Sequence, residues 1–204
     1  LKKFVETVRK RDPDIVAGHN VFRFDLPYLA TRARRHKVPL KLGRDAQLPD
    51  VRSSRFTAAE RAVAYSRFHL HGRHVVDTYL LALAYDVSHR AMEGHGLKSV
   101  ARHFGVAAPE RTYLEGREIA RAFRENHDAF LRYATDDIRE TAAITPILLA
   151  ASYAQSQLLP LPLETVCVRG NAGKIEGLLL REYLRVEHSL PAPDPSRSFE
   201  GGYT

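Results

Sequence analysis

The sequence of 204 residues contains a single cysteine, Cys167. One cysteine cannot form an internal disulfide or support a cysteine-rich zinc site, so a secreted disulfide scaffold is excluded and a reducing compartment is expected. No run approaches the roughly 18 apolar residues that a membrane-spanning helix needs, and the N-terminus lacks a charged head followed by an apolar run. We therefore expect a cytoplasmic protein that has no membrane partner.

Acidic residues are outnumbered by basic ones. The chain has 24 Asp and Glu against 31 Lys and Arg, which gives a formal net charge of +7. This excess suits a polyanionic partner such as nucleic acid, although solubility alone would also account for it. The length allows one domain, with or without an appendage.

The order of the secondary-structure patterns favours an α/β fold, and there is no internal repeat. Short buried strands are predicted at residues 15–18 and 75–77, and each leads into a helix. Helices are predicted over residues 4–11, 25–36, 79–85, 97–104, 114–124, 126–149 and 171–186, weak strand-like alternation over 62–71, and a loop over 41–60. Helices that alternate with few, short strands indicate a layered α/β structure.

Asp25 lies where a strand pattern ends and a helix pattern begins. An aspartate at this point is well explained as an N-cap, which stabilises a helix by roughly 1 kcal/mol. The same point is where α/β folds gather functional groups, and Phe24 beside it offers an apolar wall for a base or a sugar. Both interpretations, helix cap and functional carboxylate, stay open.

Asp137 is harder to explain as a surface residue. Helical spacing places it on the apolar stripe formed by Phe130, Tyr133, Ala134, Thr141 and Ile144. A buried carboxylate needs an arginine, a hydrogen-bond network or a metal ion, so a structural salt bridge and a metal or catalytic role are both considered. Tyr133 lies one turn earlier on the same face and is either a core tyrosine or a partner of Asp137. The neighbouring Asp136 is expected to be solvated, on the side of Arg132, Arg139 and Glu140.

Several other polar residues have two possible roles. Asn20 either contacts a nucleic-acid end or forms a turn. Arg169 and Lys174 flank a predicted helix start and either bind phosphate or are solvated charges. The pair Gly201 and Gly202 either lets the backbone approach DNA or forms a plain turn.

Two further groups are given structural interpretations. Asp77 ends a predicted strand and is expected to cap the helix that follows. The trio His69, His71 and His74 has no nearby carboxylate or thiol to complete a metal site, so a metal-binding role is not favoured.

Five segments in order resemble family B DNA polymerases. Residues 20–29 (Asn-Val-Phe-Arg-Phe-Asp-Leu-Pro-Tyr-Leu) resemble the second exonuclease motif of that family, and residues 133–137 (Tyr-Ala-Thr-Asp-Asp) resemble the third. Residues 72–79 with 97–101 are similar to the middle of the exonuclease domain, and residues 168–176 with 179–183 to the segment that joins exonuclease and palm. Residues 199–203 (Phe-Glu-Gly-Gly-Tyr) resemble the Tyr-x-Gly-Gly motif between the two active sites, with Phe in place of the first Tyr.

The resemblance implies a ribonuclease H-like 3′-5′ exonuclease domain. In such domains four carboxylates hold two Mg²⁺ or Mn²⁺ ions, one generating the attacking hydroxide and the other stabilising the leaving 3′-oxygen. Asp25 and Asp137 match two of the four, Tyr133 matches the tyrosine that orients water, and Asn20 matches a contact to the DNA end. The Asp-x-Glu of the first motif is not in the sequence, nor are the polymerase motifs. The chain is therefore interpreted as a fragment, weak or inactive as a nuclease by itself.

The resemblance also implies an organisation and a set of partners. Residues 1–150 are expected to form the partial exonuclease domain, and residues 151–204 a mostly helical segment that leads to the palm. The expected partners are a single-stranded 3′ end, a primer-template and the remainder of the polymerase chain, in the cytoplasm and associated with the nucleoid. One alternative is a catalytically degenerate module that binds single-stranded DNA. A free-standing nuclease is another, disfavoured by the Gly201-Gly202 segment.

Overall fold

A computed structural model describes residues 1–192. It contains the helices α1 (Lys2–Arg11), α2 (Asp25–Arg35), α3 (Thr78–His89), α4 (Leu97–His103), α5 (Gly116–Glu125), α6 (His127–Ser156), α7 (Leu163–Val166) and α8 (Asn171–Arg185). The strands are β1 (Ile15–Gly18), β2 (Asp50–Ala58), β3 (Arg61–His69) and β4 (His74–Asp77). The predicted mixture of helices and short strands is confirmed. No helix in the described part of the chain is long and apolar enough to cross a membrane.

Strands β1 and β4 form a parallel pair at the centre of the molecule. Ile15 lies opposite His74 and Gly18 opposite Asp77, so the two strands end at the same edge. Both strands lead directly towards helices, α2 after a short loop and α3 without one. Because the carboxyl ends of parallel strands share an edge, the residues that follow β1 and those that end β4 come together there.

The core lies on both faces of this strand pair. Val75 and Val76 are almost fully buried, and as neighbours in a strand they point to opposite faces. Val75 packs into a cluster with Phe22 and Leu26, whereas Val76 packs into a second cluster with Ile144 of α6. The two apolar clusters hold helices against both sides of the strands, as in a layered α/β structure.

The sequence predicts a loop over residues 41–60. This prediction is wrong for the second half of that range. β2 occupies Asp50–Ala58 and pairs antiparallel with β3 along its whole length, from Asp50 opposite His69 to Ala58 opposite Arg61. β2 is largely exposed, and only Phe56 and Ala58 are buried, so its sequence shows little of the apolar alternation by which strands are recognised. Hydrogen bonds to β3 make it a strand.

The residues from 151 to the end of α7 continue to pack against the same core. α6 runs without a break through Ala150 to Ser156, and it contains Pro146. In α7, Leu163 joins the second apolar cluster, and the buried carboxylate of Glu164 accepts hydrogen bonds from His69 Nδ1 (2.6 Å) and from the Val75 backbone N–H (3.2 Å). This buried carboxylate ties α7 to both β3 and β4.

Candidate functional site

The loop after β1 is held by Asp77 at the end of β4. The Asp77 carboxylate is 3% exposed and accepts hydrogen bonds from the backbone N–H groups of Asn20 (2.8 Å), Phe22 (3.1 Å) and Tyr79 (3.0 Å). The last of these bonds caps α3, as the sequence predicts. The other two fix the residues that precede Asp25. Burial raises the pKa of Asp77 to about 6, in spite of the three hydrogen bonds.

The same loop needs a glycine and an asparagine. A Cβ at Gly18 would lie 2.8 Å from Cβ of Val21, so a larger residue would push the loop away from the strand end. Asn20 has φ 65°, in the left-handed region that asparagine tolerates, so it does form a turn. Its side-chain Oδ1 is nevertheless buried and has no hydrogen-bond partner within residues 1–192. The turn alone leaves this oxygen unexplained.

Asp25 is the first residue of α2 and does not cap it. Phe24 occupies the N-cap position, and no side chain caps the helix. Asp25 forms no hydrogen bond or ion pair with another residue in the described part of the chain, and partial desolvation raises the pKa of its carboxyl group. The capping interpretation of Asp25 is therefore wrong, and its carboxylate is free to accept a ligand.

Two aromatic rings lie beside Asp25 on the surface. Phe24 is 63% exposed and its ring stacks against Tyr28, with 6.2 Å between the centroids and 8° between the planes. Exposed, parallel aromatic rings offer faces on which bases can stack. Tyr28 belongs to the recognised motif but was not singled out as a contact residue from the sequence.

Asp137 is held by an arginine that the sequence analysis missed. Arg111 Nη2 donates a hydrogen bond of 2.5 Å to Asp137 Oδ1, and Arg111 Nε and Nη2 donate to the two carboxylate oxygens of Glu140 at 2.5 and 2.9 Å. The side chains of Arg111 and Glu140 are 1% and 3% exposed, whereas that of Asp137 is 31% exposed. Glu140 is buried because it shares the guanidinium of Arg111. The sequence did signal that Asp137 has such a partner, because a buried carboxylate needs a cation.

Asp136 also differs from expectation. It is half-buried, and its Oδ2 accepts a hydrogen bond of 3.0 Å from the backbone N–H of Thr112, next to Arg111. The two adjacent aspartates of α6 therefore hold the loop that carries Arg111. Asp136 has a structural role in that loop instead of the solvated position that the helical pattern predicts.

Tyr133 lies against Asp137 and two cations. Its ring is 5.1 Å from Lys98 Nζ and 5.9 Å from Arg111 Cζ, measured to the ring centroid. Burial raises the pKa of the Tyr133 hydroxyl, and the negative charge of Asp137 raises it further. The phenol is therefore a hydrogen-bond donor at neutral pH.

The two predicted carboxylates approach the same edge of the β1–β4 pair. Asp25 is near enough to Asp77 to raise its pKa, and Asp137 is near enough to His19, the first residue after β1, to oppose the lowering of its pKa by burial. No hydrogen bond or ion pair joins Asp25 to Asp137 in the described residues. Within residues 1–192, no three His, Cys, Asp or Glu side chains form a group that could hold a metal ion.

The remaining predicted contact residues lie elsewhere. Arg169 precedes α8 and Lys174 lies in its first turn; both line a cavity that shares no residue with the Asp25 and Asp137 region. Gly201 and Gly202 lie outside the described residues. His69 pairs with Glu164 and His71 with Asp50, so the expectation that these histidines have no carboxylate nearby is wrong.

Comparison with known proteins identifies the family. Residues 1–99 match the family model described as DNA polymerase family B, exonuclease domain. The DNA polymerase of Archaeoglobus fulgidus is 30% identical over 206 residues, which cover 100% of this chain and 24% of that protein. Residues 1–99 belong to the exonuclease domain of the family B DNA polymerases, and the whole chain is similar to such polymerases. DNA polymerase 2 of Aeropyrum pernix is also 30% identical, over 92% of this chain and 22% of its own length.

A solved structure agrees with the sequence relatives. The family B DNA polymerase from the hyperthermophilic archaeon Pyrobaculum calidifontis superposes with a TM-score of 0.74 at 27% identity, covering 98% of this chain and 24% of that one. The chain thus spans about a quarter of the length of the family B polymerases that it matches. The architecture of mixed helices and strands is that of the corresponding region of such a polymerase.

Proposed function

We propose that this chain is part of the proofreading 3′-5′ exonuclease of a family B DNA-directed DNA polymerase. The observation that carries the proposal is geometric: Asp25 follows the loop that Asp77 holds at the end of β4, and Asp137 lies on α6, which packs against the same strand pair. Ligands and substrates of open α/β sheets bind at the carboxyl ends of the strands. Nothing in the packing of the core requires a free carboxylate at residue 25.

A ribonuclease H-like fold accounts for the arrangement of the strands. β1 pairs with β4 on one side, and within residues 1–192 no strand pairs with its other side. In the fold that we propose, a further strand lies along that side of β1 and carries the Asp-x-Glu pair that this sequence does not contain. Residues 1–150 form the exonuclease part, and residues 151–204 lead towards the palm.

Asp25 and Asp137 suit divalent cations chemically but do not complete a site. Mg²⁺ and Mn²⁺ bind carboxylate oxygens, and a cation would reverse the unfavourable desolvation of Asp25. Asp137 already bonds Arg111, so its charge is partly balanced. Two ions need about four carboxylates, and the other two come from the Asp-x-Glu strand. When bound, the ions supply Lewis acidity at the phosphodiester that is hydrolysed.

The chain's own residues position the end of the DNA strand. Tyr133 donates a hydrogen bond to the attacking water, and Arg111 keeps Asp137 in one orientation beside it. The exposed ring of Phe24 stacks against a base of the single-stranded 3′ end. Asn20, half-buried in the loop after β1, contacts the terminal nucleotide.

Contacts further along the DNA involve other parts of the chain. Arg169 and Lys174 contact phosphates of the single strand or the primer-template, and Gly201 and Gly202 let the backbone approach the duplex. The remainder of the polymerase chain is the second partner. The proposed substrate would place the polymerase with the nucleoid.

A digestion assay tests the nuclease proposal. A 3′-labelled single strand with Mg²⁺ is incubated with this chain and with a longer protein that includes the Asp-x-Glu strand. We expect cleavage by the longer protein only, abolished by Asp25→Asn and by Asp137→Asn. Asp128→Asn, which changes an exposed aspartate at the start of α6, is the matched control and retains cleavage. Cleavage by the short chain that survives Asp137→Asn would refute the proposal.

A second function is favoured by one observation. The salt bridge from Arg111 neutralises part of the charge that Asp137 would offer to a cation. A chain whose parent lacks the Asp-x-Glu pair would be a single-strand DNA-binding module without nuclease activity. Absence of cleavage by the longer protein, together with retained DNA binding, would support this module in place of the nuclease.

A further inference from the structure

A cavity of about 450 Å³ lies between the end of β2 and the helices α3, α6 and α8. Its walls include Ala58 at the end of β2, Tyr85 of α3, Ala151 and Gln155 of α6, and Arg169 and Lys174 at the start of α8. A volume of this size is within the range of small-molecule and cofactor sites. The volume is sufficient for one nucleotide.

The charges around this cavity have one sign. Arg169 and Lys174 line it, and no Asp or Glu does. Lys174 Nζ donates a hydrogen bond of 2.7 Å to Gln155 Oε1, a neutral partner, and burial lowers the pKa of Lys174. An anion in the cavity would offset this desolvation, because it would favour the charged ammonium. The lining is therefore complementary to a negatively charged ligand.

Gly173 leaves the space that the Arg169 side chain occupies beside the cavity. A Cβ on Gly173 would lie 2.3 Å from Arg169 Nε, so the guanidinium lies directly over the first turn of α8. Arg169 Nη2 is 3.4 Å from Glu176 Oε2, on the exposed surface and outside the lining. This long, solvent-exposed contact is weak, so the guanidinium can turn to a phosphate at little cost.

The other walls suit a base or a sugar. Tyr85 and His89 stack on each other, with 3.8 Å between ring centroids, and both line the cavity together with Phe56 and Leu148. Cys167 is also in the lining, but burial raises the pKa of its thiol to about 11, so it stays protonated and unreactive. The combination of cations on one wall with apolar and aromatic groups on the others matches a nucleotide better than a small inorganic anion.

The cavity is separate from the proposed nuclease site. Ala151 follows Asp137 by fourteen residues of the same helix, which corresponds to about 21 Å at 1.5 Å per residue. A nucleotide in the cavity would therefore belong to a different part of the strand from the terminal one.

We propose that this cavity binds one phosphorylated nucleotide, with its phosphate against Arg169 and Lys174. The nucleotide is either a unit of a DNA single strand or a free nucleotide, and both present the same chemistry. The proposal rests on the proposed function for the presence of DNA, but it requires neither metal ions nor cleavage.

Filling the cavity tests occupancy. Binding of fluorescently labelled oligo(dT) is measured by anisotropy in EDTA, where metal-dependent cleavage cannot contribute, so failure of the nuclease proposal would leave this test intact. Ala151→Phe places a ring in the cavity and is expected to weaken binding about tenfold, the loss of one stacked base. Ala154→Phe adds the same ring to an exposed position of α6 that does not line the cavity, and is expected to bind normally. Equal affinity of the two variants would overturn the proposal.

Two variants that each remove one positive charge from α8 test the phosphate contact. Lys174→Gln is expected to weaken binding about threefold to tenfold and to reduce the slope of log K against log salt by about 0.7, the value for one phosphate of a single strand. Arg185→Gln removes an equal charge from an exposed position of the same helix and is expected to change the slope little. An equal effect of both variants would mean that only net charge acts, and would also overturn the proposal.

Competition distinguishes the two sources of the nucleotide. If millimolar dCMP displaces the oligonucleotide from the Ala154→Phe protein, and does so less from the Ala151→Phe protein, free nucleotides occupy the cavity. If dCMP has no effect while Ala151→Phe still weakens oligonucleotide binding, the cavity holds a unit of the strand.

Discussion

Arg111 donates a hydrogen bond of 2.5 Å to Asp137 from a side chain that is almost completely buried. The same guanidinium forms a two-point contact with Glu140, so one cation serves two carboxylates one turn apart on α6. Asp137 therefore has a fixed orientation, with about a third of its side chain exposed. A carboxylate held in this way can contact a ligand without losing its structural partner.

Removal of Arg111 is expected to be strongly destabilising. Arg111→Met would leave Glu140 buried without a partner, which costs about 3–5 kcal/mol in the free energy of unfolding. Urea unfolding followed by circular dichroism measures this cost. Arg117→Met, at an exposed arginine that pairs with Glu115, is the control and is expected to change stability by less than about 0.5 kcal/mol.

A double variant separates loss of the ion pair from loss of packing. If the cost of Arg111→Met comes from the orphaned Glu140, then Arg111→Met combined with Glu140→Met should recover most of it, because a buried ion pair can be replaced by apolar groups. Additive losses in the two single variants and the double variant would contradict this account.

Tyr133→Phe is expected to reduce cleavage with no effect on folding. In a protein with the complete carboxylate set, loss of the Tyr133 hydroxyl should lower the rate of single-strand digestion by about tenfold to a hundredfold, since the phenol would no longer orient water. Tyr113→Phe removes a hydroxyl from a ring that faces the same Lys98 and Arg111, and is the matched control. Similar rates for Tyr133→Phe and the unmodified protein would argue against a role in the reaction.

Asp77 is expected to make stability depend on pH between about 4 and 6. Its pKa is about 6 in the folded protein and 3.8 as its ordinary value, so the folded state binds more protons in this window and the free energy of unfolding falls as pH rises through it. A shift of this size corresponds to about 3 kcal/mol. The difference between the unmodified protein and Asp77→Asn in urea unfolding should shrink from pH 4 to pH 6.5; a constant difference would show that Asp77 titrates normally.

Cys167 is expected to resist alkylation. Burial raises the pKa of its thiol from 9.0 to about 11, which lowers the thiolate fraction at pH 8 by about a hundredfold and leaves little access for a reagent. Iodoacetamide labelling followed by mass spectrometry should be slow in the folded protein and fast in urea. Equal rates in the two conditions would mean that the side chain is accessible in the native state.

Local sequence patterns predict the central elements well. The strands at 15–18 and 74–77 and the start of α2 at Asp25 are where they were expected, because apolar runs, turn residues and helical periodicity are all local signals. β2 was missed because most of its side chains face solvent, and the hydrogen bonds that define it come from β3. Short α7 was missed because four residues carry too little periodic information.

The candidate site was only partly accessible to the same reasoning. Periodicity correctly placed Asp137 on the inner face of α6, and the cost of burying a charge correctly demanded a partner. It could not name Arg111, which comes from a loop 26 residues away and follows no periodic pattern. Charged residues are rarely buried, so the sequence did not point to the burial of Glu140, which only the shared guanidinium makes tolerable.

The amino-acid sequence alone determined the family resemblance, the positive net charge and the choice of Asp25 and Asp137 as candidate site residues. Motifs and helical periodicity depend only on residues that are close in the sequence. Tertiary structure decided which groups meet. In the folded chain Asp25 does not cap α2, and Asp137 pairs with Arg111. Asp77 binds the loop that contains Asn20, and a cationic cavity lies beside Lys174. These outcomes depend on contacts between residues far apart in the chain, and their energies depend on burial, which no local pattern specifies.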